Sequence, residues 1–197
     1  DTATATCKED IPLQKIKSDL TFLEDSGQLP DMFLQTLPSP DGKKELFIED
    51  HNLWIRDRES DEASALTKTG TADESFARSS HFNVDPNIIQ ALWSPDSKRV
   101  FTLQLDTRDV TERMLCSYAP QDGSLYPKIL PFKMAYPGDE HVDTYRLVVI
   151  DVETGGLQAV DYSPLPFIMY SDYMYGFFSL GLGWWSTDSQ RAFFIDT

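Results

Sequence analysis

Short apolar stretches alternate with tight-turn residues along most of the chain, and one combination recurs. Leu37-Pro38-Ser39-Pro40-Asp41-Gly42-Lys43, Leu92-Trp93-Ser94-Pro95-Asp96-Ser97-Lys98 and Trp184-Trp185-Ser186-Thr187-Asp188-Ser189-Gln190 are three versions of it. Proline fixes φ, Ser and Asp side chains cap backbone amides, and Gly accepts φ > 0, so each version predicts a tight turn. An apolar segment follows each one: Leu46-Phe47-Ile48, Val100-Phe101-Thr102-Leu103 and Ala192-Phe193-Phe194-Ile195. The pattern reads strand, turn, strand, three times over.

A second unit lies downstream of the first two turns. Asn52-Leu53-Trp54-Ile55-Arg56-Asp57 and Arg146-Leu147-Val148-Val149-Ile150-Asp151 each end in Asp, pass through a polar turn and resume as Ala63-Ser64-Ala65-Leu66-Thr67 and Leu157-Gln158-Ala159-Val160. Both predict hairpins. The two units together make four consecutive antiparallel strands, one propeller blade of ~40–50 residues. Asp41 and Asp96 stand about one blade apart, whereas the interval from Asp96 to Asp188 is longer by roughly another blade length. The surplus holds Pro120, Gly123, Pro127, Pro131, Pro137 and Gly138, which predicts a long excursion loop at residues 107–144.

The expected fold is therefore all-β, a partial, open propeller of antiparallel four-stranded blades. Residues 31–197 form it, as a blade at 31–70, a blade at 86–162 with the insertion at 107–144, and a half-blade at 178–197. Closed propellers use ~4–8 blades, so the chain reads as a piece of something longer. Residues 1–30 differ. Leu13, Ile16, Leu20 and Leu23 fall at helical spacing after Asp10 and Pro12, with Gly27 as a stop, which predicts a short helix at 12–25. That helix either covers the first strand edge or docks a further domain.

Charge narrows the function. The 197 residues carry 17 basic and 32 acidic side chains, a formal net charge of −15. Such a balance argues against nucleic acid and anionic membrane as partners. The most apolar stretch, Leu165 to Trp185, is broken by Pro166, Asp172, Gly176, Gly181 and Gly183, so no membrane span is expected. The chain reads as soluble, with the compartment open between periplasm or secretion and cytoplasm. Cys7 and Cys116 are the 2 cysteines, expected as two separate thiols in preference to a bridge.

Few residues offer chemistry of their own. Glu140-His141-x-Asp143 has metal-ligand types without helical spacing and reads as a solvated loop. Asp73-Glu74 reads as a polar turn in preference to a seat for a cation, and His51-Asn52 as a hairpin turn. No Gly-rich nucleotide loop and no metal or cofactor motif is expected. Tyr162, Phe167, Tyr170, Tyr173, Tyr175, Phe177, Phe178, Trp184 and Trp185 make the densest aromatic stretch. It is either packing between blades or a wall of a cavity facing a further domain.

Several of these residues together resemble the N-terminal propeller region of the dipeptidyl peptidase IV branch of the prolyl-oligopeptidase clan. They are Ser39-Pro40-Asp41-Gly42, Leu66-Thr67-Lys68-Thr69-Gly70, Ala91-Leu92-Trp93-Ser94-Pro95-Asp96, Tyr126-Pro127-Lys128, Tyr136-Pro137-Gly138-Asp139-Glu140 and Arg146 to Gly155. The resemblance implies a serine exopeptidase in which a propeller restricts access to a C-terminal α/β-hydrolase domain and helps position the peptide. This chain would be the non-catalytic gating part, its partners that domain and peptide substrates, with a homodimer through open blade edges also expected. No Gly-x-Ser-x-Gly elbow is present, since Gly176-Phe177-Phe178-Ser179-Leu180-Gly181 has the wrong spacing, so no catalytic residue is assigned. Family members carry a Glu pair on a short helix before the Trp-Ser-Pro turn, holding the substrate's amino group. Here Ser79-Ser80-His81-Phe82-Asn83-Val84-Asp85-Pro86-Asn87 holds one Asp and no Glu, which fits a peptidase of other length preference or another anchor for the amine. Substrate-binding residues stay unassigned. The alternative, from the repeats alone, is a non-enzymatic propeller acting as a protein-binding scaffold.

Overall fold

The computed structural model describes residues 36–78, 89–118, 125–166 and 183–195, and among these every regular element is a strand. The expected helix at 12–25, Cys7, the stretch 79–87 and the aromatics Phe167 to Phe178 lie outside the described residues. Blade 1 is a four-stranded antiparallel sheet in chain order: β1 (Thr36–Pro38), β2 (Lys44–Glu49), β3 (Asn52–Asp57) and β4 (Ala63–Ala65). Blade 2 is built on two long central strands, β7 (Arg99–Asp106) and β10 (Thr144–Asp151), paired from Asp106↔Thr144 to Arg99↔Asp151. On the free side of β7 lie β5 (Glu74–Phe76) and β6 (Ala91–Trp93); on the free side of β10 lie β11 (Leu157–Ala159) and β12 (Leu165–Pro166). A strand pair, β13 (Gly183–Trp185) and β14 (Ala192–Phe194), begins blade 3. The fold is an unclosed partial propeller.

The recurring turn is one structure in three copies. Ser39, Ser94 and Ser186 each donate from Oγ to the Oδ1 of Asp41, Asp96 and Asp188, at 2.6, 2.7 and 2.6 Å. Each hydroxyl also accepts the amide that restarts the chain, from Lys44, Arg99 and Arg191 at 3.0, 2.9 and 3.0 Å. The residue after each Asp is left-handed: Gly42 at φ 72°, Ser97 at 59° and Ser189 at 60°. The Asp-ended hairpins follow the same logic, since Asp57 Oδ1 accepts the Glu59 and Ser60 amides and Asp151 Oδ1 accepts that of Thr154. β2 and β3 join through Asp50 and His51, both at positive φ, the two-residue geometry that matches strand twist.

Alternation along the central strands makes two cores between the blades. Leu46, Leu53 and Ile55 of blade 1 pack with Phe76, Trp93, Val100 and Ile150 of blade 2. The opposite face of blade 2, with Phe101, Leu103, Leu105, Tyr145 and Leu147, packs against Trp185 and Phe194 of blade 3.

The expected loop at 107–144 contains a two-stranded hairpin, β8 (Glu112–Ser117) and β9 (Lys128–Lys133), in register from Glu112↔Lys133 to Ser117↔Lys128. Pro131 sits inside β9, tolerated because among the described residues neither strand of this hairpin is flanked by a third that would need its missing amide. The blade 2 sheet also starts earlier than residue 86, at Glu74, and extends past 162 to Pro166. Cys116 lies exposed on β8 with a free thiol.

Candidate functional site

β5 and β6 are one edge strand in two pieces. Phe76 pairs with Gln104 and Ala91 with Thr102, so both pieces lie along the same side of β7. Between them Ala77, at φ 56°, donates to the Leu103 carbonyl (2.9 Å), and the Gln90 amide returns the chain by donating to the Ala77 carbonyl (2.7 Å). The chain therefore leaves the sheet edge after Ala77 and rejoins it at Gln90, just ahead of the Trp93-Ser94-Pro95 turn. In a propeller the first strand of a blade is the one nearest the central channel.

The exit of this break is stapled to blade 1. The Arg78 guanidinium donates to His51 Nδ1 at 2.8 Å, which puts the imidazole proton on Nε2, because Arg has only donors. The His51 carbonyl accepts the Phe76 amide at 2.9 Å. Next to it, Asn52 Oδ1 accepts from the Gly70 amide (2.8 Å) and from Thr67 Oγ1 (3.1 Å), while Thr67 Oγ1 accepts the Leu53 amide at 2.9 Å. A Cβ at Gly70 would stand 2.2 Å from the His51 carbonyl oxygen, so only glycine fits there. The Leu-Thr-x-Thr-Gly motif and the His51-Asn52 turn are thus two halves of one joint, a role that sequence reading missed. Its signal was a Thr and a Gly at fixed spacing after a hairpin.

The other end of β5 carries an ionic clasp. Arg108 grips Asp106 with two hydrogen bonds (3.0 and 2.6 Å) and reaches Glu74 at 3.3 Å; its guanidinium holds the Asp106 carboxyl below the usual carboxylate range. Lys133 reaches Asp73 at 2.8 Å and also donates to the Thr107 carbonyl at 3.0 Å. Asp73 and Glu74 therefore face cations of this chain itself. Arg113 pairs with Asp139, donates to the Met134 carbonyl (2.9 Å) and stacks its guanidinium 3.7 Å from the centre of the Tyr136 ring. The Tyr136 amide, then Arg113, lower the Asp139 pKa. Tyr136-Pro137-Gly138-Asp139 is the turn that makes this possible, with Gly138 at φ 98°. Together Lys133 and Arg113 fix the base of the β8–β9 hairpin, while Met114, Ile129, Tyr118 and Tyr126 stay exposed along it.

Glu140 and His141 line an open hollow of about 250 Å³ with Asp106 and Asp109, whereas Asp143 is buried. Among the described residues no three His, Cys, Asp or Glu are arranged to hold a metal ion. Of the described aromatics, Trp185 donates from Nε1 to the Leu92 carbonyl (3.1 Å) and Tyr162 packs on Phe194 (5.2 Å), so both serve blade packing. Trp184 stacks on Phe193 at 5.6 Å on an exposed face.

Residues 28–173 match the family model described as the dipeptidyl peptidase IV (DPP IV) N-terminal region. Among solved structures the chain is similar to the dipeptidyl peptidase 4 of Porphyromonas gingivalis, at 22% identity and a TM-score of 0.54, over 64% of this chain and 18% of that one. It is also similar to a protein described as a putative dipeptidyl aminopeptidase IV from Bacteroides ovatus, at 12% identity and a TM-score of 0.56, over 83% of this chain and 20% of that one. The chain spans about a fifth of the length of each. Comparison with curated proteins returns no match.

Proposed function

The chain belongs to the family of dipeptidyl peptidase IV N-terminal regions, and from that premise we propose that it is the non-catalytic propeller part of a serine exopeptidase, gating and positioning peptides for a C-terminal α/β-hydrolase domain. What carries the reading is the break in the first strand of blade 2. The strand along the edge of β7 is interrupted between Ala77 and Gln90, directly ahead of the Trp-Ser-Pro turn, where family members hold the substrate's amino group. The strand leading into the break is braced at both ends, by the Glu74–Arg108–Asp106 clasp and by the His51–Arg78 staple, which suits a position that must be held against a ligand. Partners on this reading are peptide substrates and the hydrolase domain, and a second copy seats on the open blade edges.

Gating makes a direct prediction for the full polypeptide that carries this chain. It should hydrolyse a short chromogenic dipeptidyl substrate in a manner sensitive to serine reagents, and trim a stably folded protein only after that protein is unfolded. Equal trimming of the folded and unfolded forms overturns the gating role. One observation favours the scaffold as a second reading: the exposed apolar residues of a hairpin whose base is ionically fixed suit a protein partner.

A further inference from the structure

Two buried polar side chains flank the break in the first strand of blade 2 with nothing to bond to. Ser75, on β5, and Gln90, where the chain rejoins the edge ahead of β6, are 1% and 2% exposed, yet Ser75 Oγ and Gln90 Oε1 have no hydrogen-bond partner. A buried polar atom left unpaired destabilises a fold, and its persistence points to a group that completes it.

Both side chains face the same way. Phe76, Ile89 and Ala91 pack in the core between blades 1 and 2, so alternation turns their neighbours Ser75 and Gln90 to the opposite face. Ser75 pairs with Leu105, and Gln90, one residue before the Ala91↔Thr102 pair, stands level with Leu103. Two positions along β7 separate them, about 7 Å. An extended peptide repeats the N–H groups of one edge at the same interval. The chemistry of the pair is neutral. A hydroxyl and a carboxamide oxygen accept from an amide N–H, whereas a buried ammonium needs an opposite charge. The carboxylates beside Ser75 are already engaged, Asp73 with Lys133 and Glu74 with Arg108. We propose, resting on the reading that this propeller positions peptides, that Ser75 and Gln90 bind alternate backbone N–H groups of an extended peptide, and that their neutrality makes the parent enzyme favour an acylated N-terminus over a free ammonium. They are binding residues, with no part in the bond-breaking step.

Matched tripeptidyl chromogenic substrates, one with a free and one with an acetylated amine, test this on the full polypeptide that carries the chain. The acetylated substrate should have the lower KM, by about tenfold. Gln90→Met, of similar length but without the oxygen, should raise that KM about tenfold with kcat little changed. Its melting temperature should rise by roughly 2 °C, because an unpaired polar atom has left the interior. Gln90→Glu supplies a charge and should turn the preference toward the free amine. A free amine favoured by wild type overturns the proposal and leaves the gating role standing. So does Gln90→Met with an unaltered KM and a lowered melting temperature, the result expected if Gln90 only holds a buried water. Absence of any hydrolysis sensitive to serine reagents overturns both. Should Gln90→Met fail to fold, Ser75→Ala, a smaller change on the same face, should raise the KM of the acetylated substrate in the same sense, and a wild-type KM there overturns the proposal.

Discussion

Replacing Asn52 by Ala should loosen the joint between blades 1 and 2 more than any comparable change in a surface turn. Its side chain makes three hydrogen bonds: Oδ1 accepts from Gly70 and Thr67, and Nδ2 donates to the Asp50 carbonyl. The third is exposed and water replaces it at little cost. The first two are part-buried, each worth about 1 kcal/mol net, so the expected loss is about 2 kcal/mol. Asp at this position keeps both acceptor contacts and should recover most of that. Gly70→Ala strikes the same joint from the other side. Its Cβ would meet the His51 carbonyl oxygen at 2.2 Å and the carbonyl carbon at 2.7 Å, both backbone atoms that move only with the β2–β3 turn. Overpacking of this kind costs ~1–3 kcal/mol. Urea unfolding followed by tryptophan fluorescence reads both, with a slope of ~1–3 kcal/mol/M converting the loss to a midpoint shift of about 1 M. Asn52→Ala within ~0.5 kcal/mol of wild type would refute the joint.

Three further outcomes are expected. Leu46→Ala empties a fully buried site in the core between blades 1 and 2 and should cost ~2–5 kcal/mol by the same unfolding assay. Asp96 has its pKa lowered, first by the Ser94 hydroxyl and then by the Lys98 amide; Asp41 and Asp188 are lowered by Ser39 and Ser186. A depressed carboxylate adds stability above the unfolded pKa of ~3.9 and loses it as pH falls through the folded value. Stability should therefore decline below about pH 4, and Asp96→Asn should flatten that decline in a pH series of melting temperatures. Arg113→Ala removes the Asp139 pair and the stack on Tyr136, so limited proteolysis should cut the β8–β9 hairpin several-fold faster, with the melting temperature of the blades nearly unchanged.

The three Ser-x-Asp turns were legible because Ser, Asp and a left-handed residue make that turn by local chemistry alone. The long strands β7 and β10 were legible by their apolar runs. β5 was not: Glu74-Ser75-Phe76 is too short for a periodic signal, and its place is set by β7, which follows it in the chain. The β8–β9 hairpin was hidden by Pro127 and Pro131, which mark loops unless a strand is free of a further neighbour, and that is a fact of topology. Asp73 and Glu74 illustrate the limit for sites. Their cations, Lys133 and Arg108, come from beyond β7, so their engagement follows from the sheet and not from adjacent residues.

The central claim, that this propeller serves a serine peptidase, is tested most directly by reading the coding frame downstream of Thr197. The account predicts a Gly-x-Ser-x-Gly elbow followed by an Asp and then a His. A stop codon, or further blades alone, would contradict it and leave a binding scaffold.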